Sequence, residues 1–350
     1  EAKTQPPKDA AAGSLTHKRV LHIALPIVLS NATVPILGVV DTGVVGQIGD
    51  PVPIGAVGIG AIILSAIYWV FGFLRMGTAG LTAQAAGARD EGEMAALLSR
   101  AMLIGIGAGI VIIAAQVALF AGAFMISPAS PQVEGLAREY MSIRVWSAPA
   151  AIALYGITGW LVGRENTMGV FAIQLLVNLA NMGLSVLLGL KLGWGVSGVA
   201  WATVIAEWSG LAFGLWLCRG VFLGPYWRSV ARVFDKARLV NMMSVNTDIM
   251  IRSVLLQAIF VSFLFFGSGM GDVDLAANQI LLQFLYVTAY AMDGFAFAAE
   301  AIVGRAMGAR APARVRRGAI LTSGWGLGIC AVLVPPFPLG GGGVTHGRPT

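Results

Sequence analysis

The sequence predicts an all-α, polytopic membrane protein. Of its 350 residues, 57% are hydrophobic and only 11% are charged, whereas soluble domains carry about 25% charged residues. Several apolar stretches exceed the roughly 20 residues that cross a bilayer as a helix. The first stretch is too long for the apolar core of a signal peptide and is followed at once by others.

Nine apolar stretches, bounded by charged residues and by glycine and proline, are the predicted membrane spans. Most connections between them are short, and the exception is the segment 218–240 between spans six and seven. We place the spans near residues 20–47, 52–84, 95–125, 136–162, 167–191, 196–220, 237–267, 273–304 and 315–336.

Basic residues concentrate on alternate loops. Lysine and arginine precede span one and follow spans two, four, six and eight, while the opposite loops hold mainly Asp50, Asp272 and Asp274. By the positive-inside rule, the N-terminus and the even-numbered loops are predicted to be cytoplasmic. The net charge of +6 therefore reflects membrane topology, and we expect no nucleic-acid partner.

A short motif occurs after span two and again after span eight. Residues 87–89 in "LTAQAAGARDEGE" match residues 308–310 in "IVGRAMGARAPAR", an offset of 221. Six spans separate the copies, so they have the same orientation and predict two parallel six-helix halves related by an axis along the membrane normal. Chance similarity of small residues is the alternative.

The repeat also bears on chain length. A second half as long as the first would end near residue 440, by roughly equal repeat lengths, so we expect about three helices to be missing; a complete nine-span protein is the alternative. The predicted organisation is a cytoplasmic tail (1–17), a first lobe of helices one to six (18–220), a cytoplasmic loop (221–236), a partial second lobe of helices seven to nine (237–336) and an irregular tail (337–350).

The sequence shows no signature of an enzyme or of a metal site. The three histidines lie near the chain ends, and Cys218 and Cys330 are far apart without ligand-like spacing. The chain lacks a G-x-x-x-x-G-K-[ST] phosphate loop, so ATP hydrolysis is not expected. We predict no catalytic residue, metal or cofactor. The energy for any transport is expected to come from an ion gradient, a partner or the substrate's own gradient.

Asp41 is the candidate ion-coupling residue of span one. It follows Pro35 and Gly38, which loosen a helix and free backbone carbonyl groups. An ionisable residue at membrane depth is costly and marks a functional site by default, so Asp41 is predicted to load and release a proton. The alternative places it at the helix end, solvated, as a simple cap.

Spans five and six carry polar residues at helical spacing. Asn178, Asn181 and Ser185 recur every three or four residues and share one face, and Thr203 and Glu207 lie one turn apart. Such residues either bond a neighbouring helix or line a cavity, and the stack of three favours a cavity. For Glu207, a position near the cytoplasmic end is the alternative.

Spans seven and eight contain charged residues as well. Asp248 and Arg252 stand at i,i+4 spacing and predict a structural ion pair. Tyr286, Asp293 and Glu300 follow one another at intervals of seven residues. Two acids on one face of a membrane helix predict a cavity lining that attracts cations.

Several blocks together resemble the multidrug and toxic compound extrusion (MATE) family, in its DinF-like branch. The resemblance covers about residues 18–330. It implies twelve helices in two lobes around a V-shaped cavity, and antiport of organic, often cationic, compounds against protons or sodium. It rests on "LPIVLSNATVPILGVVDTGVVGQIGD", "TAQAAGARDEGE", "NLANMGLSVLLGL", "GVSGVAWATVIAEWSG", "NTDIMIRS" and "AYAMDGFAFAAEAIVGRAMGAR".

Carried over by position, the resemblance implies that Asp41 is the main coupling carboxylate, with Asn181 and Thr203 beside it; Asn178 and Ser185 complete the predicted set. Relatives commonly have an aspartate where this chain has Ser185. Because a hard cation prefers several oxygen ligands, this departure favours protonation of Asp41 over sodium binding. We expect H⁺, or else Na⁺, as the coupling ion.

The expected partners are small organic substrates and membrane lipid. We expect a monomer in the bacterial inner membrane. The main rival is a flippase of lipid-linked precursors from the same superfamily, which should line its cavity with basic residues for pyrophosphate. The predicted lining is acidic and neutral, which suits cations. An inactive truncated fragment is the other alternative.

Overall fold

The computed structural model describes residues 15–47, 51–126, 130–227, 229–268 and 272–333. These residues form thirteen α-helices and no strand; the tails at 1–14 and 334–350 lie outside them. The helices are α1 His17–Gly46, α2 Pro51–Trp69, α3 Phe73–Gly87, α4 Glu91–Ile126, α5 Pro131–Arg144, α6 Ala148–Gly163, α7 Thr167–Leu184, α8 Gly195–Leu217, α9 Arg219–Leu223, α10 Val230–Val233, α11 Lys236–Ser268, α12 Asp272–Gly308 and α13 Pro312–Leu333.

In the described part of the chain, the nine predicted spans form helices within a few residues of the expected limits; the predicted end of span nine, at 334–336, lies outside it. By length and composition, five helical stretches of the described residues are able to cross a membrane. Three spans are irregular inside: 3₁₀ turns at Val70–Gly72 and Val145–Ser147 separate α2 from α3 and α5 from α6, and a π-helix, Ser185–Lys191, continues α7. The short helices α9 and α10 lie in the connection between the predicted lobes.

The first six spans pack through small residues. Gly105 and Gly109 of α4 lie so close to α6 that an added Cβ would overlap backbone atoms of Ala153 and Pro149. Trp160 is fully buried, and its indole Nε1 donates a hydrogen bond to the carbonyl of Met94 at 2.9 Å. Small residues let helix backbones approach closely in a medium where lipid gives no hydrophobic drive to helix association.

The helix α12 joins the second part of the chain to the first, because it packs on both α3 and α1. A Cβ on Gly87 would overlap the carbonyl oxygen of Arg305, and a Cβ on Gly308 would overlap the carbonyl oxygen of Gln84. Gly87 and Gly308 stand 221 residues apart, as do Gln84 and Arg305. The two contacts are therefore equivalent. This is expected if the axis that relates the two predicted halves passes through the crossing of α3 and α12.

The two copies of the motif also end their helices in the same way. Arg89 and Arg310 both adopt a left-handed backbone, with φ of 59° and 52°. The N–H group that follows each of them bonds the carbonyl five residues earlier, from Asp90 to Ala85 and from Ala311 to Ala306, at 3.0 Å in both. This pattern satisfies the last carbonyls of a helix. Because α6 ends in the same way at Glu165, with φ of 64°, the pattern agrees with the predicted repeat but is not specific to it.

Charged groups from alternate loops meet on one face of the molecule, which we call the charged face. Arg19, before span one, donates two hydrogen bonds to Glu165, after span four, at 2.9 and 2.6 Å. Arg305, at the end of span eight, lies 3.3 Å from the same carboxylate. The start of span one and the ends of spans four and eight thus lie on the same side, as the distribution of basic residues predicts.

The connection between spans six and seven is held to the first lobe by charge. Arg232 and Arg238 pair with Asp90, at 2.8 and 3.6 Å. Arg100 is buried, pairs with Glu93 at 2.7 Å, and donates to the carbonyls of Arg232 and Val233 at the end of α10. These bonds cap a four-residue helix that would be unstable alone.

The glycine crossing predicts a sharp difference between two substitutions in α3. Gly87→Ala should lower the free energy of unfolding by about 1–3 kcal/mol, because the new methyl group meets backbone that cannot move away. Gly80→Ala is the matched control, because a Cβ there meets nothing within 4 Å. The measurement is the thermal midpoint in detergent, and equal midpoints for the two variants would contradict the close crossing.

The Asp90 pairs predict a dependence of stability on pH. Burial alone would raise the pKa of Asp90, but the N–H of Glu93 and the guanidinium groups of Arg232 and Arg238 hold it below the ordinary value of 3.8. A carboxyl group whose pKa is lower in the folded than in the unfolded protein contributes fully to stability above its ordinary pKa. This contribution is lost as the pH falls through the pKa of the folded state. Wild type should therefore exceed Asp90→Asn in thermal midpoint at neutral pH, and the difference should shrink toward about pH 3.

The control for this measurement is Glu134→Gln, which removes a pair with one arginine, Arg138, at i,i+4 spacing on a single helix, whereas Asp90 holds two arginines from another segment at about the same exposure. Single pairs at i,i+4 spacing contribute little, so the midpoint of Glu134→Gln should follow wild type at every pH. A gap between wild type and Asp90→Asn that stays constant down to about pH 3 would count against the assigned role of the Asp90 pairs.

Candidate functional site

Three of the predicted coupling residues form one buried hydrogen-bond cluster. The amide Nδ2 of Asn181 donates to the hydroxyl of Thr203 at 3.0 Å, and its Oδ1 accepts from the hydroxyl of Ser185 at 3.0 Å. The Thr203 hydroxyl donates in turn to the carbonyl of Val199 at 3.2 Å. None of the three is more than 5% exposed. Because both ends of the amide are bonded, the orientation of Asn181 is fixed.

Asn178 belongs to a second cluster, which links α7 to α1. Its Nδ2 donates to the hydroxyl of Thr33 at 2.5 Å, and its Oδ1 accepts from Gln174 at 2.9 Å. The Thr33 hydroxyl donates to the carbonyl of Ser30 at 2.7 Å. Asn178 thus bonds a neighbouring helix, which is the first of the two alternatives that the sequence left open for these asparagines.

A π-helix begins at Ser185, within the first cluster. Such helices are rare and are frequent at functional sites. Gly189 within it lies close enough to α1 and α8 that an added Cβ would be 3.0 Å from Val44 and 3.3 Å from Val199. The helix α1 therefore packs directly against the π-helical segment, and the widened turn places the Ser185 end of α7 beside both neighbours.

The side chains of Asp41 and Tyr286 lie outside the described part of the chain. The structure describes the backbone of both as helical, in α1 and α12. It therefore establishes that the helix carrying Asp41 contacts α7 and the π-helix, and the role of the Asp41 carboxylate stays a prediction.

Glu207 lies at the middle of α8, in the interior of the first lobe. Its carboxylate interacts electrostatically with Arg144 of α5 and with the phenol groups of Tyr68 and Tyr155. In the described residues its Oε2 is buried without a hydrogen-bond partner, and so is Nε of Arg144. This position excludes the alternative that Glu207 is a solvated residue at the helix end.

Asp293 and Glu300 face an arginine that the sequence analysis did not single out. Arg75 of α3 interacts electrostatically with both acids, and its guanidinium carbon lies 3.8 Å from the centre of the Phe297 ring of α12. Among the described atoms, Nη1 of Arg75 and Oε2 of Glu300 are buried without a hydrogen-bond partner. The signal was available, because an arginine inside the predicted span 52–84 is itself a functional candidate.

The contacts of Arg75 and Arg144 correct the predicted character of the lining. The surroundings of the described acids are mixed in charge, because Glu207, Asp293 and Glu300 each have an arginine within electrostatic reach. Glu300 also interacts with Arg252 of α11.

The predicted ion pair between Asp248 and Arg252 is absent from the structure, in which both residues are described and exposed. Arg252 instead places Nη2 3.4 Å from the sulfur of Met76. An exposed pair at this spacing contributes only about 0.3–0.5 kcal/mol, so contacts with α3 and the electrostatic attraction of Glu300 decide the position of the guanidinium. Among the described residues, no group of three or more His, Cys, Asp or Glu is placed to hold a metal ion.

The fold is a bundle of long apolar helices with buried polar clusters within and between its two parts, and it defines a class, the multi-pass membrane proteins. The MatE family model matches residues 26–187 and 249–335, well over half of the chain. The chain belongs to the MatE family, whose members are transporters and not enzymes.

Two curated relatives show how far the similarity extends. The chain is 39% identical over 302 residues to the DNA damage-inducible protein F of Escherichia coli strain K12, covering 84% of this chain and 64% of that protein. It is 26% identical to the chloroplastic Protein DETOXIFICATION 44 of Arabidopsis thaliana, covering 81% and 56%. The chain thus spans less than two thirds of the length of either relative.

Solved structures share the fold at low sequence identity. A multidrug resistance MATE family transporter in an outward-facing conformation has a TM-score of 0.82 at 18% identity, over 92% of this chain and 71% of that one. A MATE structure in the bent conformation has a TM-score of 0.80 at 20% identity, over 91% and 71%. A MOP superfamily transporter from Pyrococcus furiosus, described as having a binding pocket of reverse polarity, has a TM-score of 0.78 at 18% identity, over 92% and 72%.

The cluster of Asn181, Ser185 and Thr203 predicts that substitutions of two threonines in the first lobe differ in their effect on stability. Thr203→Val keeps the shape but leaves Nδ2 of Asn181 without its acceptor, so the free energy of unfolding should fall by about 1 kcal/mol, as for other hydrogen bonds between membrane helices. The control is Thr158→Val, since Thr158 bonds only carbonyls of its own helix. Denaturation in mixed micelles would measure both, and equal losses would contradict an interhelical role for Thr203.

Proposed function

We propose that this protein acts in secondary active efflux, exporting organic cations in exchange for protons. The observation that carries the proposal is the buried cluster of Asn181, Ser185 and Thr203, which lies where α7 becomes a π-helix and packs on the helix that carries Asp41. Family membership supports a transport role. Because the chain spans 64% of its Escherichia coli relative, the activity of the whole protein is part of the proposal.

A proton is the coupling ion that the cluster favours. Sodium coordination needs several oxygen ligands free to face the ion. Here the amide oxygen of Asn181 already accepts from Ser185, and the Thr203 hydroxyl already accepts from Asn181. Ser185 also supplies a hydroxyl where relatives commonly have a carboxylate. One carboxylate, Asp41, is sufficient to carry a proton.

The proposed cycle depends on the charge of Asp41. A proton drives transport only if the two conformations differ in their affinity for it. In the protonated state α1 would bend near Pro35, repack against α7 and the π-helix, and reduce the space for substrate; release of the proton on the other side would reverse the change. Each charge that crosses a potential of 100 mV supplies about 2.3 kcal/mol.

The mixed lining supports a competitive mode of substrate binding. Arg75 opposes Asp293 and Glu300 without an ion pair at 4 Å or less among the described contacts. An organic cation would displace Arg75 from these acids, and Arg75 would return when the substrate leaves. Tyr286, Asp293, Glu300 and Glu207 are the residues that we propose for the substrate cavity.

The alternative function is the flipping of lipid-linked precursors. Arg75 and Arg144 are the observation that favours it, because pyrophosphate needs basic ligands. Both arginines are already opposed by carboxylates, so efflux of cations is the better supported function. For either function we propose a monomer in the bacterial inner membrane, with the charged face in the cytoplasm.

The test is dye uptake driven by a proton gradient in inside-out vesicles. Asp41→Asn should abolish gradient-driven uptake, because the amide cannot exchange a proton. The matched control is Asp248→Asn, which replaces an exposed acid that has no ion pair among the described residues and should retain wild-type uptake.

Two further outcomes would change the proposal. Uptake that is unaffected by Asp41→Asn would remove Asp41 from the mechanism. Uptake that appears only when the C-terminal part of a related protein is appended would retain the antiport assignment and show that the present chain does not transport alone.

A further inference from the structure

A pocket of about 240 Å³ opens at the charged face, at the end of α6 and α8. Its lining combines an apolar wall with a polar rim. The residues are Trp160, Leu161, Arg164, Asn166 and Leu217. None of them belongs to the clusters described above, so the transport site does not account for this pocket.

Two exposed arginines, Arg164 in the lining of the pocket and Arg219 two residues after the lining residue Leu217, have no acidic partner among the described residues. The guanidinium carbon of Arg164 lies 4.7 Å from the centre of the Trp160 ring, and that of Arg219 lies 4.2 Å from the centre of the Trp216 ring. Neither forms an ion pair in the described part of the chain. The adjacent acid, Glu165, is already held by Arg19 and Arg305. The pocket therefore offers uncompensated positive charge.

Arg219 lies close to the lining of the pocket in sequence. It directly follows Cys218, which lies within electrostatic reach of Arg164. Leu217, on the other side of Cys218, lines the pocket itself. Arg164 is therefore the arginine of the pocket, and Arg219 adds positive charge two residues beyond its lining.

The surface next to the pocket is typical of a membrane–water interface. Large aromatic and aliphatic side chains are exposed there, in and around the short helix α9: Trp216, Leu223, Tyr226 and Trp227. Tryptophan and tyrosine concentrate at the level of lipid headgroups. The pocket follows the ends of spans four and six, which agrees with that depth.

We propose that this pocket binds the phosphate group of an anionic phospholipid, with Arg164 on the phosphate, Arg219 as further positive charge beside the pocket, and Leu217 beside the start of an acyl chain. Planar guanidinium groups bind phosphate oxygens with two hydrogen bonds. Basic pockets between membrane helices recognise anionic headgroups, and the uncompensated charge favours a lipid with net negative charge over a zwitterionic one. The site is independent of the proposed transport function.

The test is native mass spectrometry of the purified chain in non-ionic detergent, titrated with phosphatidylglycerol or phosphatidylcholine. Wild type should bind phosphatidylglycerol about tenfold more tightly than phosphatidylcholine. Arg164→Gln should lose about tenfold in affinity for phosphatidylglycerol, the usual effect of removing a hydrogen bond to a charged group. Arg164→Lys should fall between them, because it keeps the charge but not the planar contact. Arg219→Gln is the second variant, should Arg164→Gln fail to fold.

The matched control is Arg138→Gln. Arg138 also lies over an aromatic ring, at 4.8 Å from Phe124, but it is paired with Glu134 at 2.7 Å. It should leave the preference for phosphatidylglycerol unchanged. Equal binding of the two lipids by wild type, or an equal loss in Arg138→Gln and Arg164→Gln, would overturn the proposal. Displacement of phosphatidylglycerol by inorganic phosphate at equal concentration would show that the pocket binds a free anion, and would overturn the proposal that its ligand is a lipid.

Discussion

The close contact between α3 and α12 is the constraint on which the arrangement of the two parts of the chain depends. Gly87 and Gly308 bring two helix backbones together at distances that no side chain would allow. In a membrane, helices associate through packing and hydrogen bonds, because lipid is as apolar as the helix surfaces. The crossing therefore sets the distance between the two parts, and with it the distance between Arg75 on α3 and the acids on α12.

Buried polar groups divide into two kinds in this molecule. The cluster around Asn181 satisfies both ends of its amide and so fixes the packing of α7 on α8. The group around Arg75 leaves atoms of Arg75 and Glu300 without partners in the described residues. An unsatisfied buried group costs about 1–3 kcal/mol, and a conformation or ligand that relieves this cost is favoured by that amount. The satisfied cluster around Asn181 suits a rigid region of the protein, and the partly unsatisfied group around Arg75 suits a region that changes conformation.

The sequence predicted the features that depend on periodicity and spacing. The nine predicted spans, the common side of the charged groups around Glu165 and the shared face of Asn181 and Ser185 all follow from such patterns, whereas Asn178, predicted on the same face, bonds Thr33 of α1 instead. It did not predict the π-helix or the two 3₁₀ turns, because these leave no periodic pattern in the sequence; in the π-helix, Gly189 packs closely against Val44, a contact that spacing along the chain does not reveal. The pair of Asp248 and Arg252 failed for the same reason: the spacing allows it, but contacts with other helices decide where the arginine lies.

Arg75 shows how the crossing and the charges act together. It belongs to α3, which the first lobe holds in place, yet its ring contact and its acidic neighbours are on α12. Any rotation about the axis near Gly87 and Gly308 moves the guanidinium relative to Glu300 much more than it moves the glycines. If the two parts rotate about this crossing during transport, a small change in angle would change the distance between Arg75 and Glu300 and so their electrostatic energy. This coupling needs no continuous pathway of contacts, since one rigid helix on each side is sufficient.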